Sequence, residues 1–235
     1  MVHSGRMTLE RAADAARPAP GGFAYGARAS IPLCVAVGAF GISFGVLARS
    51  NGFGLLAPLV MSATAFTGAS QFAAVAIIGD GGGLGAAVTA AVLLVSRYVP
   101  IGLSVAPALG GHPGWRFVQS QMVIDESWAV ANRGDGTFDR GTLLGSGFAI
   151  YLSWVVGTAI GVLGGDLLGD PERLGLDAAF PALFLALLAP QLRDRPAMVA
   201  AAGGALIAGV LVPVTRPGIP IVAASLACIA GWWRR

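Results

Sequence analysis

Lysine is absent from the 235-residue chain, and its absence removes the glycine-loop-and-lysine device that cradles nucleotide phosphates. Only two histidines occur, His3 near the start and His112 in a Gly-Pro stretch. Neither has the neighbours of a nucleophile–base pair, so the chain does not read as an enzyme. Cys34 and Cys228 both fall in apolar surroundings, giving neither a disulfide framework nor a zinc spacing. No metal or cofactor is expected. Charge is scarce as well, at 11% of residues against 55% hydrophobic, where a soluble domain carries roughly a quarter charged residues. That excludes a water-soluble globule. The basic residues are all Arg and are scattered over short segments, so the pI near 9.4 does not indicate nucleic acid.

What is abundant is apolar length. The stretches 31–48, 50–79, 141–165 and 196–215 contain no Asp, Glu, Lys or Arg, and roughly 18–20 such residues cross a bilayer core as a helix. The pattern predicts an all-α, polytopic membrane protein in which residues 1–30 form a flexible cytoplasmic tail and residues 31–235 a single transmembrane domain. Arg6, Glu10, Arg11, Asp14 and Arg17 interrupt the start of the chain, so no signal peptide is expected there. Helices are predicted at about 31–49, 54–78, 84–109, 115–131, 141–164, 177–191, 196–214 and 218–233, that is eight spans, or seven if 115–131 does not cross. With eight, ten Arg share the side of the N-terminal tail, and Arg49, Arg116, Arg173 and Arg216 lie opposite, with Arg97 inside a span. The positive-inside rule then makes the tail side cytoplasmic. Withdrawing 115–131 alone would nearly erase the bias.

Thirty-five glycines include pairs four apart, Gly41 with Gly45, Gly141 with Gly145, and Gly157 with Gly161 and Gly165. Such spacing lets membrane helices approach closely. A weak internal echo links the first two helices with the helix at 157–165 and the Phe180–Leu188 region, as in transporters built from repeats.

Three polar constellations interrupt the apolar spans. In Phe66-Thr67-Gly68-Ala69-Ser70-Gln71-Phe72, Gly68 weakens the helix while Ser70 and Gln71 bring hydrogen-bonding groups to mid-span; they serve either a substrate or interhelical bonding. In Ser96-Arg97-Tyr98-Val99-Pro100, the proline ring predicts a kink with an unpaired Ser96 carbonyl beside Arg97, an ion costly enough at bilayer depth to need a cavity or a carboxylate partner. Asp125 and Glu126 are adjacent acids in a partly apolar segment. They either face Arg97 and a water path or lie solvated at the interface.

On these residues the chain resembles the AzlC family, the large subunits of branched-chain amino acid exporters. The first patch is similar to the family's F-x-G-A-S-Q-F stretch, Arg97 to the Arg of its N-x-R stretch, and Asp125-Glu126-Ser127 to its T-D-E stretch. Ser96, Tyr98 and Ile124 depart from the family's Asn, His and Thr. The resemblance implies export of Leu, Ile, Val and sometimes Met through the cytoplasmic membrane, with a small hydrophobic AzlD-type partner subunit. On that reading Gly68, Ser70, Gln71, Ser96, Arg97 and Tyr98 bind substrate, and Arg97, Asp125 and Glu126 form an ion pair or couple protons. The alternative is a non-transporting membrane scaffold whose polar residues only join helices.

Overall fold

The computed structural model describes residues 21–168, 195–215 and 219–227, with single positions 185, 188, 189 and 192. Most of the expected helix at 177–191 and the tail before residue 21 lie outside these, as does Cys228. The described residues are helical apart from turns and one isolated bridge between Asn132 and Phe138.

Helices α1 (Phe23–Ala29) and α2 (Ile31–Ser50) are nearly continuous, with a proline in the first turn of α2 where its missing N–H costs nothing. The fold thus starts before the expected boundary at residue 30. Both helices lie along α9 (Arg140–Leu168) and run parallel to it. Gly26 abuts Thr142, Ser30 and Ser146 share a hydrogen bond of 2.5 Å, Gly41 abuts Trp154, and Gly165 reaches Arg49. Glycine is required at the centre of this seam. A Cβ on Gly41 would stand 2.7 Å from the Trp154 carbonyl oxygen, and one on Gly45 2.6 Å from the Val162 amide nitrogen. Close backbone approach replaces the hydrophobic drive that lipid cannot supply.

The expected helix at 54–78 is two helices, α3 (Leu56–Thr64) and α4 (Ala69–Gly79). Gly68, at φ 55°, turns the chain between them, a conformation open to glycine and strained for other residues. The pair does not traverse the molecule. Leaving the end of α2, α3 descends along α9, placing Ser62 2.9 Å from Thr158 and Ala63 under the Tyr151 hydroxyl at 3.0 Å. Helix α4 then climbs back past Phe44 until Gly79 presses on Asn51, the residue that ends α2.

Helices α5 (Leu84–Val95) and α6 (Tyr98–Val105) do run from one end to the other, bent by 43° at Ser96–Arg97. The bend falls where Pro100 predicts it. The Ser96 carbonyl is not left open, because it accepts the Val99 N–H at 3.1 Å.

The expected helix at 115–131 is likewise two, α7 (Pro113–Ser120) and α8 (Asp125–Ala131). Gln119 donates to the Gly110 carbonyl at 2.8 Å and accepts from Arg140 at 3.0 Å, so the last turn of α7 still lies beside the first residue of α9. Met122 reaches inward to Gly147. Helix α8 returns until the Ala131 carbonyl accepts the Asp139 N–H at 3.0 Å. Ser127 holds the turn, accepting from Ile124 N–H at 3.0 Å and donating to the Met122 carbonyl at 2.8 Å. Helices α10 (Arg195–Leu211) and α11 (Ile219–Ser225) pack on each other, and α11 meets α5. Two described helices, α2 and α9, are long and apolar enough to cross a membrane, and a third if α5 and α6 make one span.

Asp139 caps α9, accepting from the Thr142 N–H and hydroxyl, both at 2.8 Å, and from the Gly22 N–H at 2.9 Å. These donors, with Arg133 at 2.6 Å, lower its pKa to about 2. A carboxylate held below its ordinary value of about 3.9 stabilises the fold fully above that pH, and the contribution drains away as pH falls towards 2. Detergent melting of the wild type is therefore expected to worsen between about pH 4 and pH 2. Asp139→Asn should melt earlier at pH 7 yet decline less over that acid interval; an unchanged acid profile would remove Asp139 as the cause.

Candidate functional site

The three breaks meet. A pocket of ≈ 80 Å³, or ≈ 550 Å³ with its solvent-open space, is lined by Phe66, Thr67, Gly68 and Ala69 from the first break, Arg97 and Tyr98 from the second, and Ile124 and Glu126 from the third. Val37 and Phe40 of α2 and Ile150 and Trp154 of α9 complete an apolar wall. One water needs about 10–15 Å³, so the space suits a small solute.

Arg97 makes a 2.9 Å ion pair with Asp125, and both side chains keep about a third of their surface open, 37% and 36%. The same Arg97 nitrogen donates to the Tyr98 hydroxyl at 3.3 Å, and the guanidinium lies 5.1 Å from the Tyr98 ring centre, within cation–π range. Arg97 Nε is buried and has no hydrogen-bond partner. An orphaned buried donor costs about 1–3 kcal/mol, and it leaves the guanidinium with one donor that its present partners do not use. Glu126, in the first turn of α8, lines the same pocket.

The amides of Ala69 and Ser70 open α4 and have no intrahelical acceptor. Behind them Gln71 is fully buried. Its oxygen accepts the Gly68 N–H and its amide donates to Ser62, each at 3.2 Å. Ser62 also accepts from Trp154 Nε1 at 3.1 Å, so its own proton goes to Thr158, which passes its proton to the Trp154 carbonyl at 2.9 Å. Each of these groups is satisfied, and together they tie the first break to α9. Gln71→Leu would strand the Gly68 amide, with an expected stability loss of about 1–3 kcal/mol in detergent denaturation; a neutral result would mean the network does not hold the break.

Of the residues singled out in the sequence, Gly68, Arg97, Tyr98 and Glu126 line the pocket. Asp125 touches it through Arg97. Gln71 and Ser70 stand behind the break, Ser70 paired with the Thr67 hydroxyl. Ser96 points outward and donates to the Leu93 carbonyl at 2.6 Å. Of the two phenylalanines that flank the first patch, Phe66 lines the pocket, whereas Phe72 packs in the core on Phe44 and Trp154. Trp154 was not singled out; its one signal was an indole N–H in an apolar run, which needs a partner when buried.

The AzlC protein family model matches residues 32–168, which contain every residue of this pocket. The chain belongs to the AzlC family. It is 32% identical over 206 residues to an uncharacterized membrane protein of Archaeoglobus fulgidus, covering 86% of this chain and 91% of that one. It is also 27% identical over 224 residues to the inner membrane protein YgaZ of Escherichia coli, covering 90% of each. No solved structure matches the chain. As an AzlC-family membrane protein, it joins its three polar patches into one cavity.

Proposed function

We propose that the pocket binds a zwitterionic amino acid with a branched aliphatic side chain, and that the chain is the large subunit of an exporter of such amino acids in the cytoplasmic membrane. The observation that carries this reading is that both signs of charge converge on an otherwise apolar cavity. Arg97 and the Ala69 amide suit a carboxylate, Glu126 an ammonium, and Val37, Phe40, Phe66, Ile150 and Trp154 an aliphatic side chain. Asp125 holds the guanidinium in place and offers it an alternative partner when the cavity is empty. Glu126, which lines the cavity, is the group to exchange a proton during the cycle. The N-terminal side is cytoplasmic, and a small AzlD-type subunit with a few helices assembles with the chain.

The scaffold reading accounts for the satisfied Gln71–Ser62–Trp154–Thr158 network but leaves the unpartnered Arg97 Nε unexplained. Leucine efflux from preloaded cells expressing the chain with its partner is expected to exceed that of empty-vector cells. Glu126→Gln is expected to lower it and flatten its pH dependence, because an amide neither answers the ammonium's charge nor carries a proton. Equal efflux with and without the wild-type chain would refute the transport reading.

A further inference from the structure

The two helix pairs that break at the pocket enter it from opposite ends of the molecule. Helices α3 and α4 start and finish at the end marked by Asn51 and Gly79, which meet. Helix α7 stays at the end marked by Gly110, Asp139 and Arg140, where Gly22 also lies; from its last turn the chain dips through Met122 and Ile124 to the pocket and returns to the same end along α8. Each pair follows a complete crossing, α2 for the first and the bent α5–α6 for the second. Crossing plus hairpin therefore occurs twice in opposite orientation, the relation expected of inverted repeats. It is a different repeat from the echo between the first helices and residues 157–188.

We infer that α3–α4 and α7–α8 are re-entrant hairpins dipping into the membrane from opposite faces, and that their tips, 65–68 and 121–124, are the outer and inner gates of the pocket. Non-helical backbone at that depth is tolerated where it lines a cavity, and both tips contribute to this one. Local satisfaction is also built in at each tip. Gln71 bonds the Gly68 amide at the first, and Ser127 bonds both Ile124 and Met122 at the second.

The arginines supply an independent argument. Withdrawing 115–131 alone from the crossings erases the charge bias, but withdrawing 54–78 as well restores the register of every later loop. With the apolar stretches at 177–191, 196–214 and 218–233 read as crossings, the chain crosses six times. Arg116 then joins the N-terminal side, and only Arg49, Arg173 and Arg216 remain opposite, with Arg97 inside. Eleven of the fifteen Arg residues now share one face, more than in the eight-span arrangement, and the positive-inside rule makes that face cytoplasmic. Motion of either hairpin alone would open the pocket to one face while α2, α5–α6 and α9 stay fixed.

The gate assignment rests on the transport reading; the topology does not, and the experiment separates them. In full-length protein with Cys34→Ala and Cys228→Ala, single cysteines are introduced at Gly54, Asp80, His112 and Asp135, all exposed positions, and probed with a membrane-impermeant maleimide on right-side-out and inside-out vesicles. Gly54→Cys and Asp80→Cys are expected to react from outside, His112→Cys and Asp135→Cys from inside. Opposite faces within either pair would mean that its hairpin crosses, and would overturn the proposal. For the gates, Thr67→Cys is expected to react slowly from outside and Gln121→Cys from inside. Reaction from the reverse faces, or none, would overturn the gating role while leaving the topology standing. Correct faces with no leucine protection of either tip would count against the amino acid reading alone.

Discussion

Leucine efflux is expected to fall to the empty-vector level when Arg97 is replaced by alanine, a loss of about 30-fold to 4,000-fold. The estimate takes the cost of truncating one member of a hydrogen-bonded charge pair, about 2–5 kcal/mol, at 1.4 kcal/mol per factor of ten. Two effects combine. The substrate carboxylate loses its counter-ion, and Asp125, 2.9 Å away in the wild type, loses its ion-pair partner. Arg97→Lys should recover only part of the activity, because a point ammonium cannot reproduce a fork that serves Asp125 and Tyr98 together. Efflux rates normalised to protein in the membrane decide the matter. Wild-type rates in Arg97→Ala would remove Arg97 from the site.

Gly45→Leu is expected to abolish recovery of folded protein. Its side chain would point into the backbone of α9 at Thr158 and Val162, and backbone cannot turn aside as a flexible side chain does. The helices would have to separate, breaking the Ser62–Thr158 and Ser153–Cys34 bonds that fix the hairpin and the wall of the pocket. Overpacking usually costs about 1–3 kcal/mol; a clash against backbone along this seam should exceed that. Gly85, around which a Cβ meets nothing within 4 Å, provides the control, and Gly85→Ala should be close to neutral. Size-exclusion profiles in mild detergent compare the variants, and a monodisperse Gly45→Leu peak with wild-type melting would show that the seam is not tightly packed.

Much of this architecture is legible in the sequence, and the parts that are not share a cause. The Gly41, Gly45, Gly157 and Gly161 spacing marks the α2–α9 seam, and Pro100 marks the bend at Arg97. The hairpins escape because apolar length counts residues and carries no direction: a helix that enters and returns reads like one that crosses. Gly68 signals a weak point, whereas the reversal there depends on Gln71, Ser62 and Trp154, which come from three separate segments. At the other hairpin, Ile124 carries no turn signal of its own, and Ser127 makes the break by hydrogen bonds visible only in three dimensions. Gln71 reads equally well as ligand or as glue, and only its complete burial decides that it holds the Gly68 turn. The helical Phe23–Ala29 segment escapes because small residues beside Pro18, Pro20 and Gly21 resemble a tail until α9 is there to receive them.

The central claim is that one cavity answers both charges of its cargo. Binding of leucine, isovalerate and isoamylamine to the purified complex at pH 7 tests it most directly, since the three share a branched aliphatic chain and differ in charged ends. Leucine is predicted to bind at least about 30-fold more tightly than either analogue, each of which forfeits a charged contact worth about 2–5 kcal/mol. Isovalerate or isoamylamine binding as tightly as leucine would contradict the account.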